Sequence, residues 1–154
     1  MKIFIDGSAG TTGLRIKDRL MKRSDVELIT LSEEQRKDTE SRKQALNSAQ
    51  VAFLCLPDAA AVEAVELVEN PDTVIIDTST AHRTSEGWAY GFPELSAEFE
   101  DKIKNSKRIA VPGCHAGGFI ALVYPLVEAG VLGNDALLSC YSLTGYSGGG
   151  KKMI

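Results

Sequence analysis

The chain has 154 residues and a net charge of −4, with 44% apolar and 25% charged residues, the composition of an ordinary globular protein of about one domain. The acidic balance argues against an electrostatic hold on nucleic acid or anionic lipid, and no apolar run reaches the roughly 20 residues of a membrane helix, so neither partner is expected. Three cysteines (55, 114, 140) and two histidines (82, 115) form neither a disulfide framework nor a zinc pattern, so free thiols in a reducing, cytoplasmic setting and no metal are expected.

KIFID (2–6) is a β-prone run that stops at a glycine-rich turn, and Thr11 to Arg23 is helical, with Leu14, Ile16 and Leu20 apolar among basic residues. VELITL (26–31) is a second strand, SEEQRKDTES a polar loop, and RKQALNSA (42–49) a short helix. VAFLCL (51–56) is continuously apolar, as in a strand covered on both faces; Pro57 ends it, and AAAVEAVELVE (59–69) is a helix with Val62, Val65 and Val68 at helical spacing. TVIID (73–77) is a fourth strand, SAEFEDKIKNS (96–106) an amphipathic helix and RIAV (108–111) a fifth strand. GGFIALVYPLVEAG (117–130) reads as a helix bent at Pro125, and ALLSCYSLTGYS (136–147) as a long strand.

This alternation predicts an α/β fold, a doubly wound parallel sheet of Rossmann-like type. Ligands of such sheets bind beyond the carboxyl ends of the strands, which puts Gly7, Pro57, Asp77 and the Pro112-Gly113-Cys114 turn on one rim. The glycine-rich SGGGKKMI at the end predicts that the chain is part of a larger, two-domain protein.

GSAGTTG (7–13) has the spacing G-x-x-G-x-x-G between a strand and a helix. Gly7 suits the tight turn, Gly10 the close approach of backbone to a pyrophosphate, and Gly13 the packing of helix on strand. Ser8, Thr11 and Thr12 add hydroxyl donors at a helix N-terminus that favours phosphate; the alternative is a plain βα turn. The second strand ends at Ser32, with Arg36 and Lys37 close behind, which suits the 2′-phosphate of NADP, while Glu33 and Glu34 keep NAD open.

Cys55 and Cys140 lie in apolar runs and read as buried, inert thiols. Cys114 follows a strand and precedes a helix whose N-terminus stabilises a thiolate and whose N–H groups suit an oxyanion, so it is the candidate nucleophile; the alternative is a small residue at a crowded turn. His115 is not assigned as its base, because consecutive helical residues point about 100° apart. His82 reads as a loop residue.

GSAGTTG, IDTSTAHR, YGFPEL, VPGCHAGGF and TGYSGGGK, in this order, resemble the N-acetyl-gamma-glutamyl-phosphate reductase family, in its shorter second type, within the semialdehyde dehydrogenase superfamily. The resemblance implies NADPH-dependent reduction of N-acetyl-glutamyl 5-phosphate to the 5-semialdehyde and phosphate. In it, Cys114 attacks the acyl phosphate, phosphate leaves, and the resulting thioester accepts hydride. It implies that Pro57 borders the cofactor, that Ser147, Gly148 and Gly149 border cofactor or substrate, and that Ser79 and Arg83 contact the anionic substrate, against the alternative of a surface ion pair for Arg83. It divides the chain into an NADP-binding domain, 1–113, and the first elements of an α+β catalytic and dimerisation domain, 114–154. The family's catalytic histidine and basic substrate-binding residues fall beyond residue 154, so weak or absent turnover is expected of this chain, with homo-oligomers expected of a full-length protein. Aspartate-semialdehyde dehydrogenase and a non-catalytic NADP-binding fragment remain the alternative readings.

Overall fold

A computed structural model describes residues 1–145. Six strands, β1 (Lys2–Asp6), β2 (Glu27–Ile29), β3 (Val51–Leu54), β4 (Val74–Asp77), β5 (Ala89–Tyr90) and β6 (Arg108–Ala110), form one sheet in the order β2-β1-β3-β4-β6-β5. Every pairing is parallel, as expected for strands joined by helical crossovers. The helices are α1 (Thr11–Leu20), α2 (Thr39–Ser48), α3 (Asp58–Glu66), α4 (Ala97–Asn105) and α5 (Cys114–Glu128). Among the described residues no helix is long and apolar enough to cross a membrane.

The register puts Phe4, Ala52 and Ile75 side by side, with Leu54 one pleat further along the same face. Ala45, Leu46 and Ala49, from α2 and its end, and Ala64 of α3 close that face into the buried core. Burying a Leu or Ile side chain here stabilises the fold by roughly 1.5–3 kcal/mol. The opposite side chains of β3 and β4, Val51, Phe53, Val74 and Ile76, are only half-buried. The apolar run at 51–56 therefore reflects one fully shut face and one partly covered face, rather than two shut faces.

Local chemistry sets several boundaries. The helix expected from residue 42 begins at Thr39, because the Asp38 carboxylate caps it by accepting the Ser41 N–H at 2.8 Å. Ser96 caps α4 in the same way, accepting from the Phe99 N–H. The polar stretch after β2 tightens into a 3-10 turn at Gln35–Lys37. The helix after Gly113 starts three residues earlier than its sequence pattern and continues past Pro125 to Glu128.

The strand expected over 136–147 is not formed in its described part, 136–145. Its apolar residues lie in open chain, with Leu137, Tyr141 and Leu143 exposed. An apolar, β-prone run alone does not make a strand: the backbone N–H and C=O groups need a neighbouring strand, and among the described residues the sheet ends at β5 instead. Cys140 is accordingly exposed, not buried as its apolar run suggests.

Candidate functional site

The chain runs from β1 outward to β2 and then crosses back to β3 on β1's other side, so the strand order reverses between β1 and β3. Such a reversal opens a crevice at the carboxyl ends of the two strands. Gly7 turns the chain there with φ +82°, and a Cβ on it would lie 2.2 Å from Cys55 O. A Cβ on Gly13 would lie 2.5 Å from Gly7 O, so α1 seats directly on the loop. Both glycines are demanded by the fold. Gly10 is not: a Cβ there meets only Gly7 O, at 3.5 Å. Gly10 is the N-cap of α1, without a side-chain cap and with no acidic residue in the first turn, so this helix end keeps N–H groups and partial positive charge for an anion.

Beside the loop lies a cleft of about 240 Å³ whose lining includes Gly7, Ser8, Lys17, Leu31, Arg36 and Arg42. Ser32 stands next to Leu31 in a reciprocal turn: its N–H donates to Gln35 Oε1 at 3.0 Å, and its hydroxyl accepts the Gln35 N–H at 3.2 Å. Arg36 donates one N–H, from Nε, to Leu31 O at 3.1 Å, which holds its guanidinium at the cleft. The uncapped helix end and these cations suit a phosphate-bearing group of a nucleotide. Thr11 and Thr12 are exposed at the start of α1.

Two acidic residues close apolar strands at this rim. Asp6 ends β1, nearly buried, and Arg42 of α2 directs Nε and Nη2 to its Oδ2 at 3.0 and 2.9 Å. Asp77 ends β4, fully buried, and accepts the Ser79 N–H at 2.9 Å, the Ser79 hydroxyl at 2.6 Å and His82 Nδ1 at 2.7 Å. The His82 ring stacks on Trp88 with centroids 4.1 Å apart. His82 does lie in the loop after β4, where it is buried. Between these strands Pro57 caps α3, and Asp58 accepts the Thr80 N–H at 2.8 Å together with the Thr80 hydroxyl. Those donors hold the Asp58 carboxyl below the usual carboxylate range.

Ser79 is 7% exposed and its hydroxyl serves Asp77, so it braces the loop after β4. Arg83, midway along that loop, donates from Nε to Val111 O at 3.0 Å and from Nη2 to Thr78 O at 3.4 Å. A Cβ on Gly113 would lie 2.6 Å from Arg83 Nη1, so the guanidinium lies against the turn that carries Cys114. Cys114 is the first residue of α5 and is exposed; Gly113, its N-cap, offers no side-chain cap. His115 Nδ1 meets the Ser142 hydroxyl. Cys55 is a contrast: burial pushes its thiol up to about 11, which keeps it protonated near neutrality. The glycine loop at β1 and the Cys114 turn at β6 are separated by two strands, so about 14 Å of rim, three inter-strand spacings, lies between them. Ser147, Gly148 and Gly149 lie outside the described residues.

The family model described as "Semialdehyde dehydrogenase, NAD binding domain" matches residues 2–105. The chain belongs to this family. Residues 2–105 are therefore an NAD(P)-binding domain of the semialdehyde dehydrogenase family. The chain is 54% identical, over 99% of its length, to N-acetyl-gamma-glutamyl-phosphate reductase from Chelativorans sp., of which it covers 49%. It is 51% identical, over 99% of its length, to N-acetyl-gamma-glutamyl-phosphate reductase 2 from Pseudomonas putida, again covering 49%. It thus spans about half the length of the curated relatives it matches. Among solved structures it is similar in fold to aspartate semialdehyde dehydrogenase from Francisella tularensis, with TM-score 0.61 at 17% identity, over 84% of this chain and 41% of that one.

Sequence reasoning named the glycines and Cys114 but missed Asp6–Arg42, the Asp77–His82–Trp88 stack and Asp58–Thr80. A signal was present: KIFID and TVIID both end an apolar strand with aspartate. An acid in that place needs a buried partner.

Proposed function

We propose that this chain is the cofactor-binding and nucleophile-bearing part of an N-acetyl-gamma-glutamyl-phosphate reductase that uses NADPH. Residues 1–113 form the NADP-binding domain, and 114–154 begin a catalytic and dimerisation domain through which the whole protein forms homo-oligomers. The observation that carries the reading is the shared rim. A glycine loop with a cationic cleft follows β1 on the sheet's carboxyl edge, and an exposed cysteine at a helix N-terminus follows β6, three strand spacings along the same edge. A ligand that bridges about 14 Å of rim is extended, as a dinucleotide is.

In this reading Gly7, Gly10 and Gly13 shape the cradle, and Ser8, Thr11 and Thr12 donate to the diphosphate. Ser32 and Arg36 hold the 2′-phosphate, and Pro57 borders the nicotinamide half. When bound, NADPH supplies the hydride. Cys114 attacks the acyl phosphate at its carbonyl carbon, forming a C–S bond as the C–O bond to phosphate breaks, and phosphate departs with the electron pair. Arg83, lying against Gly113, meets the departing phosphate or the substrate carboxylate with its planar fork. Ser79 acts through Asp77, by fixing the loop that carries Arg83. Ser147, Gly148 and Gly149 are assigned to cofactor or substrate by resemblance alone. Free thiols at 55, 114 and 140 suit a cytoplasmic setting.

The reverse reaction tests this directly. Protein from the complete reading frame containing this chain should reduce NADP⁺ with N-acetyl-glutamate semialdehyde and phosphate, and Cys114→Ser should abolish the reaction. Preference for aspartate semialdehyde, or full activity in Cys114→Ser, would overturn the reading.

A further inference from the structure

Among the residues lining the cleft, Asp6 is the one acid, set against three bases, Lys17, Arg36 and Arg42. It immediately precedes the glycine loop, which is where an anionic ligand approaches α1. A carboxylate in that position opposes such a ligand, and near burial leaves little solvent to screen it. Arg42 is the group that answers it. It reaches in from α2, is itself only 12% exposed, and directs two N–H groups to one oxygen of Asp6. Its Nη1 lies 3.9 Å from the exposed Glu63, too far for a hydrogen bond.

We propose that Arg42 is a positioning residue for the dinucleotide, acting through Asp6: it cancels the carboxylate beneath the phosphate cradle and so leaves the charges of Lys17 and Arg36 unopposed for the ligand. This rests on the proposed NADP-binding role of the cleft. The two partners are therefore unequal. Removing Arg42 uncovers a negative charge beneath the ligand. Removing the charge of Asp6 frees a cation for it. A merely structural tie between β1 and α2 would instead be harmed alike from either side.

The test is a fluorescence titration of the 154-residue chain with NADPH, accompanied by thermal melts, for wild type, Arg42→Gln, Arg42→Lys, Asp6→Asn and the double variant Asp6→Asn/Arg42→Gln. Arg42→Gln should weaken NADPH binding by about tenfold or more at low salt, with the ratio to wild type falling as salt screens the bare carboxylate. Arg42→Lys should stay near wild type. Asp6→Asn should bind as tightly as wild type or more tightly, and the double variant should recover most of the loss. Weakened binding in a folded Asp6→Asn variant, or no recovery in the double variant, overturns the proposal. If Arg42→Gln fails to fold, the Asp6→Asn and double-variant results decide it in the same way. Wild-type protein that does not bind NADPH at all would instead overturn the NADP-binding reading itself.

Discussion

At the β1 end of the rim the groups that build the cleft are tied in. Asp6 is paired with Arg42, Arg36 is fastened to Leu31 O, and two glycines are fixed by contacts shorter than a Cβ allows. At the β6 end the reverse holds among the described residues. Cys114 is exposed, α5 has no buried residue, and its Leu122 is 74% exposed. Both ends use a glycine-led helix N-terminus, yet only the first is seated directly on its own loop, through Gly13 against Gly7 O. On the proposed reading the difference separates two properties: dinucleotide binding would depend on groups already locked together, whereas acyl transfer would depend on a nucleophile that still needs its surroundings closed off from water.

The sharpest way to break this comparison is at the glycines. Gly7→Ala forces φ +82° on alanine and drives its Cβ into Cys55 O, so it should cost on the order of 3 kcal/mol or more and lower the melting temperature steeply. Gly10→Ala should melt close to wild type, because its Cβ meets only Gly7 O at 3.5 Å, yet weaken NADPH binding if the proposed diphosphate takes the space beside it. A Gly10→Ala variant that unfolds would show that the cradle serves the fold alone.

The cysteines come next. With its thiol near 11, Cys55 is only about one part in a thousand ionised at pH 8, so iodoacetamide should modify Cys114 about a hundredfold faster or more. Cys140 is the stricter control, being exposed but outside any helix N-terminus, and it should react more slowly than Cys114 in a mass-spectrometric time course. A smaller effect is expected from Gly113→Ala. Its Cβ displaces the flexible end of Arg83 rather than backbone, so the melting temperature should hold while Cys114 alkylation slows by about threefold as the nearby cation withdraws.

The smallest effect concerns acid. The Asp58 carboxyl is depressed by its Thr80 donors, so its contribution is present above the ordinary carboxylate range and is lost as pH falls through the lowered value. Asp58→Asn should therefore melt slightly below wild type at pH 7, with the gap closing as pH drops below about 4.

Much of this was legible in the sequence because it is local. β1 falls on Lys2–Asp6, as KIFID predicts, and the glycine spacing, the Pro57 break and the strand–cysteine–helix order all lie within short windows. What escaped is long-range or partner-dependent. Asp6 and Arg42 are 36 positions apart, and nothing in either neighbourhood names the other. The two-residue β5 is too short to carry a period and exists only through its register with β6. The 136–147 stretch misled in the opposite direction: its apolar, β-prone residues suggest a strand, but its described part forms none. The Ser79 hydroxyl's bond to buried Asp77 is likewise not readable from the residues around Ser79.

The most direct measurement is the titration of the wild-type chain with NADPH and with NADH, each repeated on Arg36→Ala. Saturable NADPH binding is predicted, tighter than NADH binding. Arg36→Ala should lose about ten- to a hundredfold in affinity for NADPH and little for NADH, the scale of one hydrogen bond to a charged group. The account is contradicted if neither nucleotide saturates the chain, or if both bind equally and Arg36→Ala changes nothing.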